Sequence, residues 1–231
     1  QSFGKLKGIC TGLGGAYNPG QQNLQVKALT TLQFNAQQVM DEVTEAKTAY
    51  DNITNRRELA FRDVRSLASR ICYLLRSCGA HPLTLADAMT SNRMLQGRTR
   101  YRAPEPMPQE GQLTVSKRSG HPRNFGSMVQ YFAQLVETAS AEPFYRTDVP
   151  ELTIESLEQK VVELRSLNEL VMKAELKLSQ LYKQRHAVLY DDENSLVNIG
   201  RAVRHHIRAA FGFRSAPHEE LIKVSLTKPY K

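Results

Sequence analysis

Residues 23–61 read NLQVKALTTLQFNAQQVMDEVTEAKTAYDNITNRRELAF and decide the fold. This stretch contains neither Pro nor Gly, and its apolar residues recur mostly at intervals of three and four. Such spacing is typical of one face of an α-helix; the positions are Leu29, Leu32, Val39, Val43, Ala46, Tyr50 and Ile53. A helix of this length measures about 55–60 Å. Because that is too long for one wall of a compact globule, we expect a second helix of similar length to cover its apolar face.

The second half of the chain contains that partner, at residues 154–190. Its apolar residues lie near heptad spacing, at Leu157, Val161, Leu164, Leu167, Val171, Ala174, Leu178, Leu181 and Val188. Shorter amphipathic helices are predicted at residues 64–77, 83–96, 128–140 and 195–211. The sequence therefore predicts an all-α protein, an elongated antiparallel helical bundle.

The two halves also match each other. Tyr17, Leu24, Val26 and Leu29 align with Tyr145, Leu152, Ile154 and Leu157, each pair 128 positions apart. A shorter helix follows each long one and stops at a glycine, Gly79 or Gly212. This order predicts two pseudo-repeated helix hairpins packed on each other. The predicted organisation is a first repeat at 1–96, a basic Pro/Gly-rich connector at 97–127 and a second repeat at 128–231.

Three short segments alternate between apolar and polar residues, which favours β-strands. They lie at residues 3–10, 112–116 and 221–226, that is, at both termini and in the connector. Isolated short strands are marginal in water, so we expect these to pair with each other or with strands of adjacent subunits. The candidate assembly residues are Leu6, Ile9, Leu113, Val115, Ile222, Val224 and Leu226.

Composition limits the class of protein. The chain has 231 residues, no Trp and a net charge of +8. Its longest apolar run is Ile71–Leu75, so membrane insertion is not expected. The compartment stays open between the cytoplasm and export after removal of a leader. The three cysteines, Cys10, Cys72 and Cys78, have neither metal-ligand nor disulfide-framework spacing and are interpreted as small buried apolar residues.

Motifs that would indicate chemistry are incomplete. The glycine-rich turn at 11–15 lacks the Lys-Ser/Thr of a P-loop, and Tyr17 follows where a dinucleotide fingerprint needs a third glycine. Adjacent His205 and His206 point to different helix faces and cannot chelate one metal together. The acidic run at 191–193 favours the start of a helix over a catalytic pair. The sequence predicts no catalytic, metal or cofactor site.

Basic residues form the clearest surface pattern. Arg201, Arg204, His205 and Arg208 share one face of a predicted helix, opposite Ile199, Val203, Ile207 and Phe211. In the connector, Arg98, Arg100 and Arg102 surround Tyr101 and interleave arginine with an aromatic, as single-strand-binding surfaces do. Two interpretations stay open: a surface for nucleic acid or another polyanion, or an ordinary solvated face that complements acidic helices of a neighbouring subunit.

Four segments resemble an uncharacterised family of duplicated, all-helical bacterial proteins of similar length. They are CTGLGGAYNP at 10–19, LQGR at 95–98, AEPFY at 141–145 and KVSLTKP at 223–229. The resemblance implies no activity. It implies only that the duplication and the β-forming ends are family features.

Our leading hypothesis from the sequence is a non-enzymatic structural protein that self-associates into an oligomer or filament. The alternative is a basic helical protein that binds nucleic acid. A helical pore former is disfavoured, because no apolar segment is long enough to insert.

Overall fold

The computed structural model describes residues 2–97, 124–191 and 193–226, and all regular structure within these ranges is helical. The all-α prediction is confirmed. The α-helices of the described ranges are α1 (Ser2–Gly12), α2 (Val26–Phe61), α3 (Val64–Ser77), α4 (Pro82–Leu95), α5 (Phe125–Ser140), α6 (Ile154–His186), α7 (Leu196–Phe211) and α8 (Ala216–Ile222). Short 3-10 turns lie at Gly14–Ala16, Gln22–Leu24 and Pro150–Leu152, and a π-helical turn at Ala187–Asp191 extends α6.

The two predicted terminal strands are wrong. Residues 3–10 lie within α1, because Phe3, Leu6 and Cys10 fall on one side of a helix and are buried there. At the other end, α8 continues to Ile222, and residues 223–226 form no strand. The third predicted strand, at 112–116, lies outside the described residues, as do the assembly candidates Leu113 and Val115.

Tertiary packing divides the chain into two compact units. Unit 1 combines Gln1–Tyr50 with Ala174–Lys231, and unit 2 comprises Asp51–Lys173. These are packing units, whereas the predicted division into 1–96, 97–127 and 128–231 concerns sequence repeats, so that division stays a prediction.

The core of unit 1 draws on segments that are distant in sequence. Buried side chains come from α1, from α7, from α8 and the residues after it, and from the start of α2. Gly200 on α7 allows the closest approach, since a Cβ built there would lie 2.4 Å from Leu226 Cδ1 and 3.6 Å from Leu6 Cδ1. A smaller cluster, Val43, Ala46, Leu178 and Leu181, joins α2 to α6 within the same unit.

The core of unit 2 is formed by α3, α4 and α5 together with the end of α2 and the first part of α6. Phe132, Leu135, Ile71 and Leu164 are fully buried in it. Asn124 caps α5, because its Oδ1 accepts a hydrogen bond of 2.7 Å from Ser127 N. This cap starts α5 at Phe125, three residues before the predicted start at 128.

A tyrosine closes the turn before each long helix. Tyr17 Oη donates to the Leu24 carbonyl oxygen at 2.8 Å, and Tyr145 Oη donates to the Leu152 carbonyl oxygen at 3.0 Å. Both tyrosines are buried. Because each bond spans seven residues, it holds a 3-10 turn in place just before α2 or α6 begins.

Among the described residues, no helix combines the length and the hydrophobicity needed to span a bilayer.

The α6 stripe allows a matched stability test. Leu164 is fully buried in the core of unit 2, whereas Val162, two residues earlier on α6, is 65% exposed. We expect Leu164→Asp to lower the free energy of unfolding by more than about 3 kcal/mol, because it buries an unpaired charge. Val162→Asp should change it by less than about 1 kcal/mol. Urea denaturation followed by circular dichroism measures both; equal effects would contradict the packing described for α6.

Candidate nucleic-acid interface

Helix α7 positions the basic residues that the sequence singles out. Ser195 caps the helix, with its Oγ accepting a hydrogen bond of 3.4 Å from Asn198 N. Ile199, Val203 and Ile207 are buried in the core of unit 1. Because α7 has 3.6 residues per turn, burial of this stripe directs the opposite face to solvent.

The predicted basic stripe separates into two roles. Arg201, His205 and Arg208 are exposed. Arg204 is only partly exposed, and its Nη2 donates a hydrogen bond to the Val224 carbonyl oxygen. Arg204 therefore holds the segment after α8 against α7, while the other three side chains are available to a partner. The connector residues Arg98, Arg100 and Arg102 lie outside the described residues.

The loop after α7 adds an aromatic ring that the sequence analysis missed. Phe213 is 62% exposed and follows Gly212, the residue that ends the helix. The guanidinium carbons of Arg208 and Arg214 lie 5.0 and 5.6 Å from the centroid of the Phe213 ring. Both distances are within the range of cation–π interactions. The apolar spacing of the sequence does not indicate that Phe213 has a role. The one indication in the sequence is its position as a large apolar residue between Gly212, which ends a helix, and Arg214.

Helix α8 contributes two buried residues next to this loop, His218 and Leu221. His218 is 8% exposed, and its ring centroid lies 5.5 Å from that of Phe213. Leu221, one turn further along α8, is fully buried. His206 of α7 makes an edge-on contact with Tyr17, with ring centroids 5.5 Å apart. The adjacent His205 and His206 thus face different environments, as the sequence predicts.

The candidate assembly residues occupy different environments. Leu6, Val224 and Leu226 belong to the buried core of unit 1, and Ile9 is partly buried against it. Ile222 is 61% exposed. Four of these side chains therefore pack within their own chain, and Ile222 is the described candidate with the greatest solvent exposure.

The buried thiols and phenols of the described residues are held in their protonated forms. Burial raises the pKa of Cys10, and it raises the pKa of Cys72 to about 11. Burial also raises the pKa of Tyr17 and raises the pKa of Tyr145 to about 12. The described ranges contain no cluster of His, Cys, Asp or Glu able to hold a metal ion.

Comparisons with known proteins add no family. No protein-family model matches the chain, no curated protein matches it, and no solved structure matches it. The resemblance seen in the sequence therefore stays an expectation.

Thiol reactivity tests the burial of the cysteines. Cys10 and Cys72 are buried, whereas Cys78 is partly exposed and all three are free. Since the thiolate is the reactive form, we expect one thiol to react quickly with a chromogenic disulfide reagent at about pH 8. All three thiols should react after denaturation. Mass spectrometry should place the fast label on Cys78; rapid native labelling of Cys10 or Cys72 would contradict their burial.

Proposed function

We propose that this protein binds nucleic acid through a surface of unit 1 formed by α7 and the loop that follows it. The basic-aromatic surface consists of Arg201, His205, Arg208, Phe213 and Arg214. The observation that carries the proposal is the exposed Phe213 ring, which has the guanidinium groups of Arg208 of the α7 stripe and of Arg214 within cation–π distance.

The charges on this surface fit a polyanion. Arg201, His205 and Arg208 lie at successive turns of one helix, so they can follow a phosphate backbone. Phosphate contacts by arginine supply affinity without base specificity. The net charge of +8 adds a general attraction for nucleic acid.

An architectural inference accompanies the proposal: the chain is a tandem duplication. The Tyr17 and Tyr145 hydrogen bonds support it, since both close a turn of the same length before a long helix. Core positions also correspond, with Phe3 and Leu6 of α1 matching Phe132 and Leu135 of α5. An experimental structure in which residues 17–79 and 145–212 cannot be superposed would contradict the duplication.

Self-association into an oligomer or filament stays a second proposal. The observation behind it is that several large apolar residues are more than half exposed, such as Leu83, Val162 and Ile222. Terminal β-strands no longer supply its mechanism. Light scattering over a wide concentration range tests it, and a constant monomer mass would overturn it.

Salt dependence tests the nucleic-acid proposal. Binding of a fluorescently labelled single strand, measured by anisotropy between about 50 and 200 mM salt, should weaken with a slope of about 0.7 per phosphate contact. The double variant Arg201→Glu/Arg208→Glu should bind more weakly and with a flatter slope. Arg204 is not a suitable position, because its hydrogen bond to the Val224 carbonyl oxygen has a structural role within unit 1.

The matched control is Arg146→Glu/Arg165→Glu. Both of these arginines are exposed in unit 2, and the double variant changes net charge by the same amount. If the two double variants lose affinity equally, general charge and not the proposed surface is responsible. No binding by the unmodified protein at low salt would overturn the proposal.

A further inference from the structure

We propose that Phe213 is a stacking platform for an unpaired base, so that the basic-aromatic surface selects single-stranded nucleic acid over duplex. This inference rests on the proposed function and specifies the class of ligand for the same surface.

The backbone around Phe213 presents the ring to solvent. Gly212 has φ 88° and Arg214 has φ 65°, so the residues on both sides of Phe213 are in the left-handed region. Among the described residues, Arg214 is the one non-glycine residue with positive φ. Residues other than glycine adopt a positive φ at an energetic cost, and such strained conformations cluster at functional sites.

The Phe213 ring also contacts a buried histidine and two arginine side chains. His218 lies behind it on α8 with an interplanar angle of 54°, and His218 itself is buried. Arg208 and Arg214 lie within 5.6 Å of the ring centroid while leaving 62% of Phe213 exposed. A base that stacks on this ring would take the place of one guanidinium group, which could then bind the phosphate of that base or of its neighbour.

The chemistry favours a single strand. In a duplex, the faces of the bases are covered by neighbouring base pairs, so an external ring cannot stack on them without unstacking. In a single strand the faces are available, and aromatic side chains stack on them with little dependence on sequence. An exposed Phe beside a basic helix face is therefore suited to single strands of DNA or RNA, whereas the α7 stripe alone would bind either form.

A single-tryptophan variant tests the contact directly. The natural sequence contains no Trp, so Phe213→Trp places the only indole at the proposed platform. We expect oligothymidylate to quench its fluorescence with the same concentration dependence as binding measured by anisotropy. Duplex DNA at the same nucleotide concentration should quench it much less.

The control for the fluorescence experiment is Tyr73→Trp. Tyr73 is also an exposed aromatic, at 67%, and the Arg76 guanidinium carbon lies 5.9 Å from its ring centroid. It lies on α3 in unit 2, whereas the proposed surface belongs to unit 1. Equal quenching at both positions would indicate non-specific contact and overturn the platform.

Affinity measurements complete the test. Phe213→Ala should raise the Kd for the single strand roughly 5- to 150-fold, the range that base–aromatic stacking supplies. The Kd for duplex should change little, so selectivity falls. Phe213→Tyr, which keeps an aromatic face, should retain most of the affinity, whereas Phe213→Leu should not. Circular dichroism checks that each variant keeps its helicity.

The outcomes separate the two proposals. If the unmodified protein binds single strands with the expected salt slope but Phe213→Ala binds them equally well, the platform is wrong and the basic surface stands. If Phe213→Leu binds as well as Phe213→Tyr, apolar contact and not stacking is responsible, and the platform is again wrong. If the unmodified protein binds neither form at low salt, both proposals are overturned.

Discussion

Burial of one stripe of α7 is the constraint on which the proposed surface depends. Ile199, Val203 and Ile207 pack against α1 and the segment that follows α8. Because an α-helix has 3.6 residues per turn, Arg201 and Arg208 lie on the opposite face of α7 and are directed to solvent. Gly212, with its positive φ, ends α7 and is followed by the exposed Phe213. Hydrophobic packing thus sets the position of the exposed arginines of α7, although their side chains do not contribute to the core.

Helical periodicity was sufficient to predict the all-α class and the internal helices. The range predicted for α3 agrees with the structure at both ends, and the ends of the other internal helices agree within a few residues. The exception among them is the end of α6, where the predicted helix to 190 continues as a π-helical turn beyond His186. A hydrogen bond of 2.6 Å between His186 Nδ1 and Asp191 Oδ2 closes this turn, a local interaction that apolar spacing does not reveal.

The prediction was wrong for short segments whose few apolar residues fit both the period of a strand and the period of a helix. In residues 3–10, the glycines Gly4 and Gly8 lower helix propensity, and the apolar residues are too few to separate a period of two from one of 3.6. Tertiary burial of Leu6 decides for the helix. The site was predicted in the same partial way: periodicity located Arg201, His205 and Arg208, but it cannot tell that Arg204 reaches a main-chain carbonyl on a later segment.

The way in which chain segments are divided between the two units has a consequence for biosynthesis. Unit 2 is one continuous stretch of chain, whereas unit 1 needs both Gln1–Tyr50 and Ala174–Lys231. On a ribosome that adds about 5–20 residues per second, α1 is made on the order of ten seconds or more before α7, the helix it packs against. During that interval the apolar side of α1, with Phe3 and Leu6, lacks the core residues of α7 and α8 and has only those of the turns and the start of α2. The order of translation therefore allows unit 2 to fold before the core of unit 1 is complete.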